Sequence, residues 1–131
     1  MQMSPIINLI TFLKHILKPL GDADYQERVW IKERGETNFD YEEDTMVFLN
    51  HCEEILKNPK QHEGVNNFVF QKIKTFYNKF CHFDDVTTDQ FKEGDDEAIV
   101  NSPEWQEVRA LANETYDAII KNLKERNYEV E

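Results

Sequence analysis

Among the side chains that could do chemistry, carboxylates are the most strongly clustered. They fall mainly in two segments, residues 40–44 and residues 84–97. Acidic clusters of this kind bind divalent cations or basic protein surfaces. A calcium loop starting at Asp89 would place Gly94 correctly at its sixth position. However, Phe91 and Val100 would then stand where the third and twelfth ligands are needed. The pattern does not fit a calcium site, which leaves a basic protein surface as the partner to consider.

The other reactive residue types are too few or too scattered for catalysis. The only two serines, Ser4 and Ser102, each precede a proline, as helix N-caps do. Cys52 and Cys81 each adjoin a histidine, but neighbours on a helix point about 100° apart and do not face each other. The four histidines lack zinc-site spacing, and the four isolated glycines form no phosphate-binding loop. We therefore expect a protein that is not an enzyme and that uses no cofactor and no metal.

The charge balance narrows the class of partner. Lys and Arg number 15 against 26 Asp and Glu, which gives a net charge of −11 at pH 7. Nucleic acid and anionic membranes both repel such a chain, so we expect neither as a partner. The charge is also uneven, because residues 22–54 carry −8, residues 57–82 carry +4 and residues 83–107 carry −8. A basic protein partner fits this pattern, and the alternative is an acidic surface that serves solubility alone.

Neither export nor membrane insertion is predicted. The apolar stretch at residues 6–17 is interrupted by Asn8, Lys14 and His15 and is too short to span a bilayer. No basic segment precedes this stretch and no small-residue cleavage site follows it. The two cysteines lie among apolar neighbours, which is typical of buried, reduced thiols. We expect a cytoplasmic protein.

The elements that position these residues are predicted to be helices. Hydrophobic residues make up 40% of the chain, whereas glycine and proline number only four each, which favours packed helices over many short strands. We expect an all-α fold, a single-domain helical bundle over residues 1–131 with about four main helices. The main helices are predicted at residues 5–18, 40–57, 66–82 and 103–126. Within residues 22–38 a short helix is favoured over an extended segment, followed by a loop at Gly35. Further short helices are expected around residues 88–92 and 96–100.

The two acidic segments supply the candidate partner-binding residues, because opposite potentials speed association with a basic surface. Tyr41 and Phe91 are candidate aromatic anchors, while Phe83 fits either an anchor or the core. Trp30 and Trp105 fit either interface hot spots or the core, and the core is favoured for both, although Trp105, near a helix start, also fits the rim of an interface. For residues 40–44 the alternative is that the carboxylates only complement a helix N-terminus. The full candidate set is Tyr41, Glu42, Glu43, Asp44, Asp84, Asp85, Asp89, Phe91, Glu93, Asp95, Asp96 and Glu97.

Two stretches resemble segments of a known class of proteins. Residues 24–32 (DYQERVWIK) and residues 102–112 (SPEWQEVRALA) are similar to segments of small acidic immunity proteins of bacterial contact-dependent growth inhibition systems. The resemblance implies a cytoplasmic protein that binds a cognate toxin domain in a 1:1 complex and neutralises it. That toxin is often a basic nuclease domain, and sometimes an EndoU-type RNase. The alternative function is a structural or regulatory interaction adaptor with no toxin partner.

Overall fold

The computed structural model describes residues 8–33, 39–91 and 95–128, apart from the side chains of residues 87–89. Within these ranges the chain forms six helices and no strand. The predicted all-α class is therefore confirmed. Among the described helices, none combines the length and the hydropathy that a bilayer crossing requires.

Two of the six helices change their winding along their length. Helix α1 (residues 9–21) starts as α-helix Leu9–Phe12, widens into π-helix Leu13–Leu17 and tightens into 3₁₀-helix Lys18–Gly21. Helix α2 (residues 23–32) joins α-helix Ala23–Tyr25 to π-helix Gln26–Lys32. The other helices are α3 (Tyr41–Lys57), α4 (Asn67–Gln90), α5 (Asp96–Val100) and α6 (Pro103–Glu125), and a 3₁₀ turn, Pro59–Gln61, lies between α3 and α4.

Side-chain caps fix where all six helices begin. Each capping side chain accepts a hydrogen bond from the backbone N–H three residues later, which satisfies a donor that has no partner inside the helix. The capping residues are Asn8, Asp22, Asp40, Asn66, Asp95 and Ser102. The predicted cap at Ser102 is confirmed. Ser4 and Pro5, the predicted cap and first residue of the first helix, lie outside the described residues. The predicted start is nevertheless wrong, because Asn8 is extended and its side chain caps α1, which begins at Leu9.

Helix α4 corrects one predicted boundary. We expected this helix to end at His82, but it continues to Gln90. The reason is that Phe83 extends the apolar stripe of Phe76 and Phe80, and all three side chains are buried. The segment around residues 88–92 therefore adds turns to α4 up to Gln90 instead of forming a separate short helix.

The end of the first helix was also predicted too early, at Lys18. Helix α1 continues to Gly21 because Pro19 lies in the first turn of its 3₁₀ segment, where no backbone N–H is needed. The other boundaries agree with the prediction. Helices α3 and α6 begin and end within one or two residues of their expected positions, which is the usual uncertainty of helix ends. The short helices expected within residues 22–38 and at residues 96–100 are present as α2 and α5. The expected loop at Gly35 lies outside the described residues.

Aromatic side chains form the centre of the core. Phe48 of α3 contacts Phe76 and Phe80 of α4, with ring centroids 5.3 Å apart in each pair. Trp30 of α2 and Trp105 of α6 are both fully buried, and their rings lie 5.8 Å apart. The predicted core position of both tryptophans is confirmed. Each aromatic pair contributes about 0.5–1.5 kcal/mol beyond its buried area.

Helix α4 runs antiparallel to both α3 and α6. Tyr41, the first residue of α3, reaches Asp84, late in α4. Lys79 in the second half of α4 reaches Glu107 in the first half of α6. Consequently the starts of α3 and α6 and the last turns of α4 meet at one end of the bundle.

Gln26 ties three of the helices together at that end. Its buried side-chain Nε2 donates to the backbone oxygens of Pro19 and Leu20 in the last turn of α1, at 2.9 Å each. Its Oε1 accepts a hydrogen bond of 2.8 Å from the indole Nε1 of Trp105. One amide thus satisfies the buried Leu20 oxygen and Trp105 N–H as well as the part-buried Pro19 oxygen. A buried group of this kind costs about 1–3 kcal/mol when it has no partner.

Candidate functional site

Tyr41 joins the two acidic segments that are far apart in the sequence. Its backbone N–H donates to Asp96 Oδ2 at 2.9 Å, and its hydroxyl donates to Asp84 Oδ1 at 2.9 Å. Asp84 lies on α4 and Asp96 is the first residue of α5, so one residue of α3 contacts both helices. The two segments that the sequence indicates as partner-binding therefore lie side by side.

Asp44 is directed towards the interior of the bundle. One of its carboxylate oxygens, Oδ2, accepts hydrogen bonds from the Tyr25 hydroxyl and from the Trp30 indole Nε1, both at 2.7 Å. Burial, together with the neighbouring Asp44 carboxylate, raises the pKa of the Tyr25 phenol well above its ordinary value. Asp44 therefore supports α2 against α3.

Three of the twelve candidate residues, Asp44, Asp84 and Asp96, are thus engaged inside the protein. Tyr41 also lies in the core, with 8% of its surface exposed, and its ring packs edge-to-face on Trp30 and Trp105. Its expected role as an exposed aromatic anchor does not agree with this position, because the surrounding indoles cover the ring. Tyr41 instead packs in the core and holds Asp84 and Asp96 in place through its hydrogen bonds.

Five candidate carboxylates are exposed at this end of the bundle, and we call them the acidic face: Glu42, Glu43, Asp85, Asp95 and Glu97. They come from the first turn of α3, the last turns of α4 and the start of α5. Asp95 also caps α5, with its Oδ1 3.2 Å from the Ala98 nitrogen. Because the side chains of the other four make no hydrogen bond to any residue that the structure describes, they are available to a partner.

The remaining candidates add less to this surface. Phe91 is half-buried and packs against the core, so only part of its ring is exposed. Phe83 is 5% exposed, and its ring centroid lies 5.3 Å from that of Trp105. Of its two expected roles, anchor or core residue, Phe83 therefore has the second. Glu93 and the side chain of Asp89 lie outside the described residues.

Sequence reasoning missed three exposed residues beside the acidic face. Glu104 and Glu107 lie on the first turns of α6, and Trp105 between them packs on Tyr41 at 5.7 Å. Met46, one turn beyond Glu42 on α3, is 49% exposed. The Ser-Pro start of α6 was visible in the sequence, but the sequence does not show which helices that start adjoins.

Within the described ranges, no group of three or more His, Cys, Asp or Glu side chains is arranged to hold a metal ion. Both cysteines are free thiols. Burial raises the pKa of the Cys52 thiol and that of the Cys81 thiol, which disfavours the nucleophilic thiolate. What this end of the bundle offers chemically is negative charge on a rigid aromatic support.

No protein-family model, no curated protein and no solved structure matches this chain.

Proposed function

We propose that this chain is a protein-binding inhibitor whose acidic face covers a basic surface of a partner protein. The first partner to consider is the nuclease domain of a bacterial toxin, which the chain would neutralise as an immunity protein in the cytoplasm. The observation that carries the proposal is the double hydrogen bond of Tyr41, which gathers carboxylates from α3, α4 and α5 at one end of the bundle.

The mechanism follows from charge. A nuclease grips phosphates with lysine, arginine and histidine side chains, so a compact array of carboxylates competes for the same groups. Opposite potentials raise the association rate towards about 10⁸–10⁹ M⁻¹s⁻¹ at low ionic strength. Since Tyr41, Trp30 and Trp105 hold the helices beneath the acidic face in place, little ordering is needed on binding.

The two stretches that resemble immunity proteins also support the proposal. Residues 24–32 form most of α2, and residues 102–112 form the start of α6. They meet through the ring contact of Trp30 with Trp105 and through the hydrogen bond from Trp105 to Gln26. Both stretches therefore belong to the framework that holds the acidic end together.

The experiment is co-purification of the tagged chain with the product of its neighbouring gene, followed by a nuclease assay on the complex. Two triple variants make a matched pair. Glu42→Gln, Glu43→Gln and Asp85→Asn neutralise the acidic face, whereas Glu114→Gln, Asp117→Asn and Glu125→Gln neutralise exposed carboxylates elsewhere on α6. Each triple removes three negative charges.

We expect the acidic-face triple to weaken binding roughly tenfold, because three exposed pairs of about 0.5 kcal/mol each give about 1.5 kcal/mol. The α6 triple should bind and inhibit almost as the native chain does. A complex that forms without inhibiting any nuclease would favour the adaptor function. Equal weakening by the two triples would show that overall charge, and not the acidic face, governs binding.

A further inference from the structure

A groove between α4 and α6 lies beside the acidic face. It encloses about 180 Å³, and its apolar lining is formed by Phe83 and Val86 of α4 and Val108 of α6. Phe83 and Val108 are buried and form its floor, whereas Val86 is 39% exposed and forms its wall. The groove is thus an apolar recess whose other lining residues are polar: Lys79, His82, Gln90, Glu104 and Glu107.

The helix ends explain why this recess is open. The antiparallel pairing sets Phe83 against Trp105 and Lys79 against Glu107. Helix α6 begins at Pro103, so the last turns of α4 extend beyond its first residue. Val86 therefore lies on the α6-facing side of α4 but at the level where α6 starts, and its side chain stays partly uncovered.

The rim of the groove is more acidic than basic. Glu104 and Glu107 are exposed along the α6 side, and the only lysine among the lining residues, Lys79, lies 3.4 Å from the Glu107 carboxylate. His82 lines the groove, and Asp85 of the acidic face follows it by three residues. The exposed side chains of His82 and Asp85 therefore lie on the same side of α4. An apolar recess bordered by carboxylates complements an apolar side chain flanked by basic ones.

We propose that this groove receives one aliphatic side chain of the partner, presented between arginines or lysines that contact the acidic face. The inference rests on the proposed function and adds the partner's chemistry to it. The aliphatic side chain supplies the apolar part of the binding energy, and the flanking cations supply the salt-dependent part. A partner segment with basic residues alone would bind, but more weakly.

The test uses two fluorescein-labelled peptides, RRLRR and RRSRR, whose binding is followed by fluorescence anisotropy at low ionic strength. Because the groove should bury part of the leucine side chain, RRLRR should bind about tenfold more tightly than RRSRR. Val86→Ser should remove this preference and leave the binding of RRSRR unchanged. The matched control is Phe68→Ser, which alters a 41% exposed side chain at the other end of the same helix.

The outcomes separate the groove from the acidic face. Equal affinity for the two peptides would overturn the groove inference and leave the proposed function standing. Absence of binding by both peptides would overturn both. If Val86→Ser still preferred RRLRR, the apolar contact would lie elsewhere on the protein. If the free chain formed a dimer and Val86→Ser abolished it, the groove would belong to the interface with a second copy. Either of these results also overturns the inference.

Discussion

Replacing Asp44 with alanine should destabilise the fold far more than replacing its exposed neighbour Glu43. Asp44 accepts hydrogen bonds from the Tyr25 hydroxyl and the Trp30 indole, both at 2.7 Å. Trp30 is fully buried, so its N–H has no access to water once the carboxylate is removed. The substitution therefore leaves a buried donor unsatisfied and removes two hydrogen bonds that join α2 to α3.

The magnitude follows from the two hydrogen bonds. A bond to a charged group contributes about 1.5–3 kcal/mol. Both bonds fall on one oxygen of a part-buried carboxylate, so we take the lower value for each and expect a loss of about 3 kcal/mol for Asp44→Ala. Asp44→Asn keeps an oxygen acceptor without the charge, and the loss should be about 1 kcal/mol.

Urea unfolding followed by tryptophan fluorescence measures these losses as changes in the free energy of unfolding. The control is Glu43→Ala, which lies in the same first turn and removes the same charge from the helix N-terminus. It should cost only about 0.5 kcal/mol. If Asp44→Ala and Glu43→Ala destabilised the protein equally, Asp44 would be an ordinary surface carboxylate and the account of the aromatic support would be refuted.

Three further predictions concern other parts of the fold. Gly64 has a φ of +93°, so Gly64→Ala should lower the free energy of unfolding by about 1–2 kcal/mol in the same urea assay. In thiol labelling of the native protein, the half-buried Cys81 should react slowly and the buried Cys52 only on unfolding, and equal rates would contradict their placement. Burial raises the pKa of Tyr77 to about 12, whereas an unfolded tyrosine ionises near about pH 10. The unfolded chain thus loses this proton first. Stability should hold below about pH 10 and fall as the pH rises towards about 12, less steeply in Tyr77→Phe.

The helices were predictable because local signals mark them. The Ser-Pro pair before α6 and the carboxylates at the start of α3 fix helix beginnings through capping, and apolar spacing indicates the buried sides. The predicted end of α4 failed because residues 84–90 are acidic and only weakly periodic. Their helical state depends on the burial of Phe83 against Trp105, a contact between residues distant in the sequence.

The candidate site was predictable in composition but not in arrangement. Charge clustering identified the acidic segments, yet it did not separate Glu42 and Glu43, which are exposed, from Asp44, which is engaged by Tyr25 and Trp30. That difference depends on which face of α3 is directed towards α2. The bundle geometry decides this, because Glu42, Glu43 and Asp44 are equally plausible as helix-start carboxylates in the sequence.

The same limit applies to Tyr41. An aromatic residue among carboxylates is typical of an interface anchor, and the sequence gives no sign that two tryptophans from other helices cover it. The structure shows this ring against Trp30 and Trp105 and its two polar groups on Asp84 and Asp96. Its hydrogen bonds to two carboxylates, and not an exposed ring, connect it to the candidate site.

The central claim is that the acidic face binds a basic partner, and the dependence of the dissociation constant on ionic strength tests it most directly. The protein assayed as partner is the product of the neighbouring gene. The dissociation constant is measured from low salt to above physiological salt, where screening shortens the range of charge interactions below about 8 Å. We predict that affinity falls steadily with salt and that the dependence is shallower for the Glu42, Glu43 and Asp85 triple variant but not for the α6 triple. A dissociation constant that does not change with ionic strength would contradict the claim.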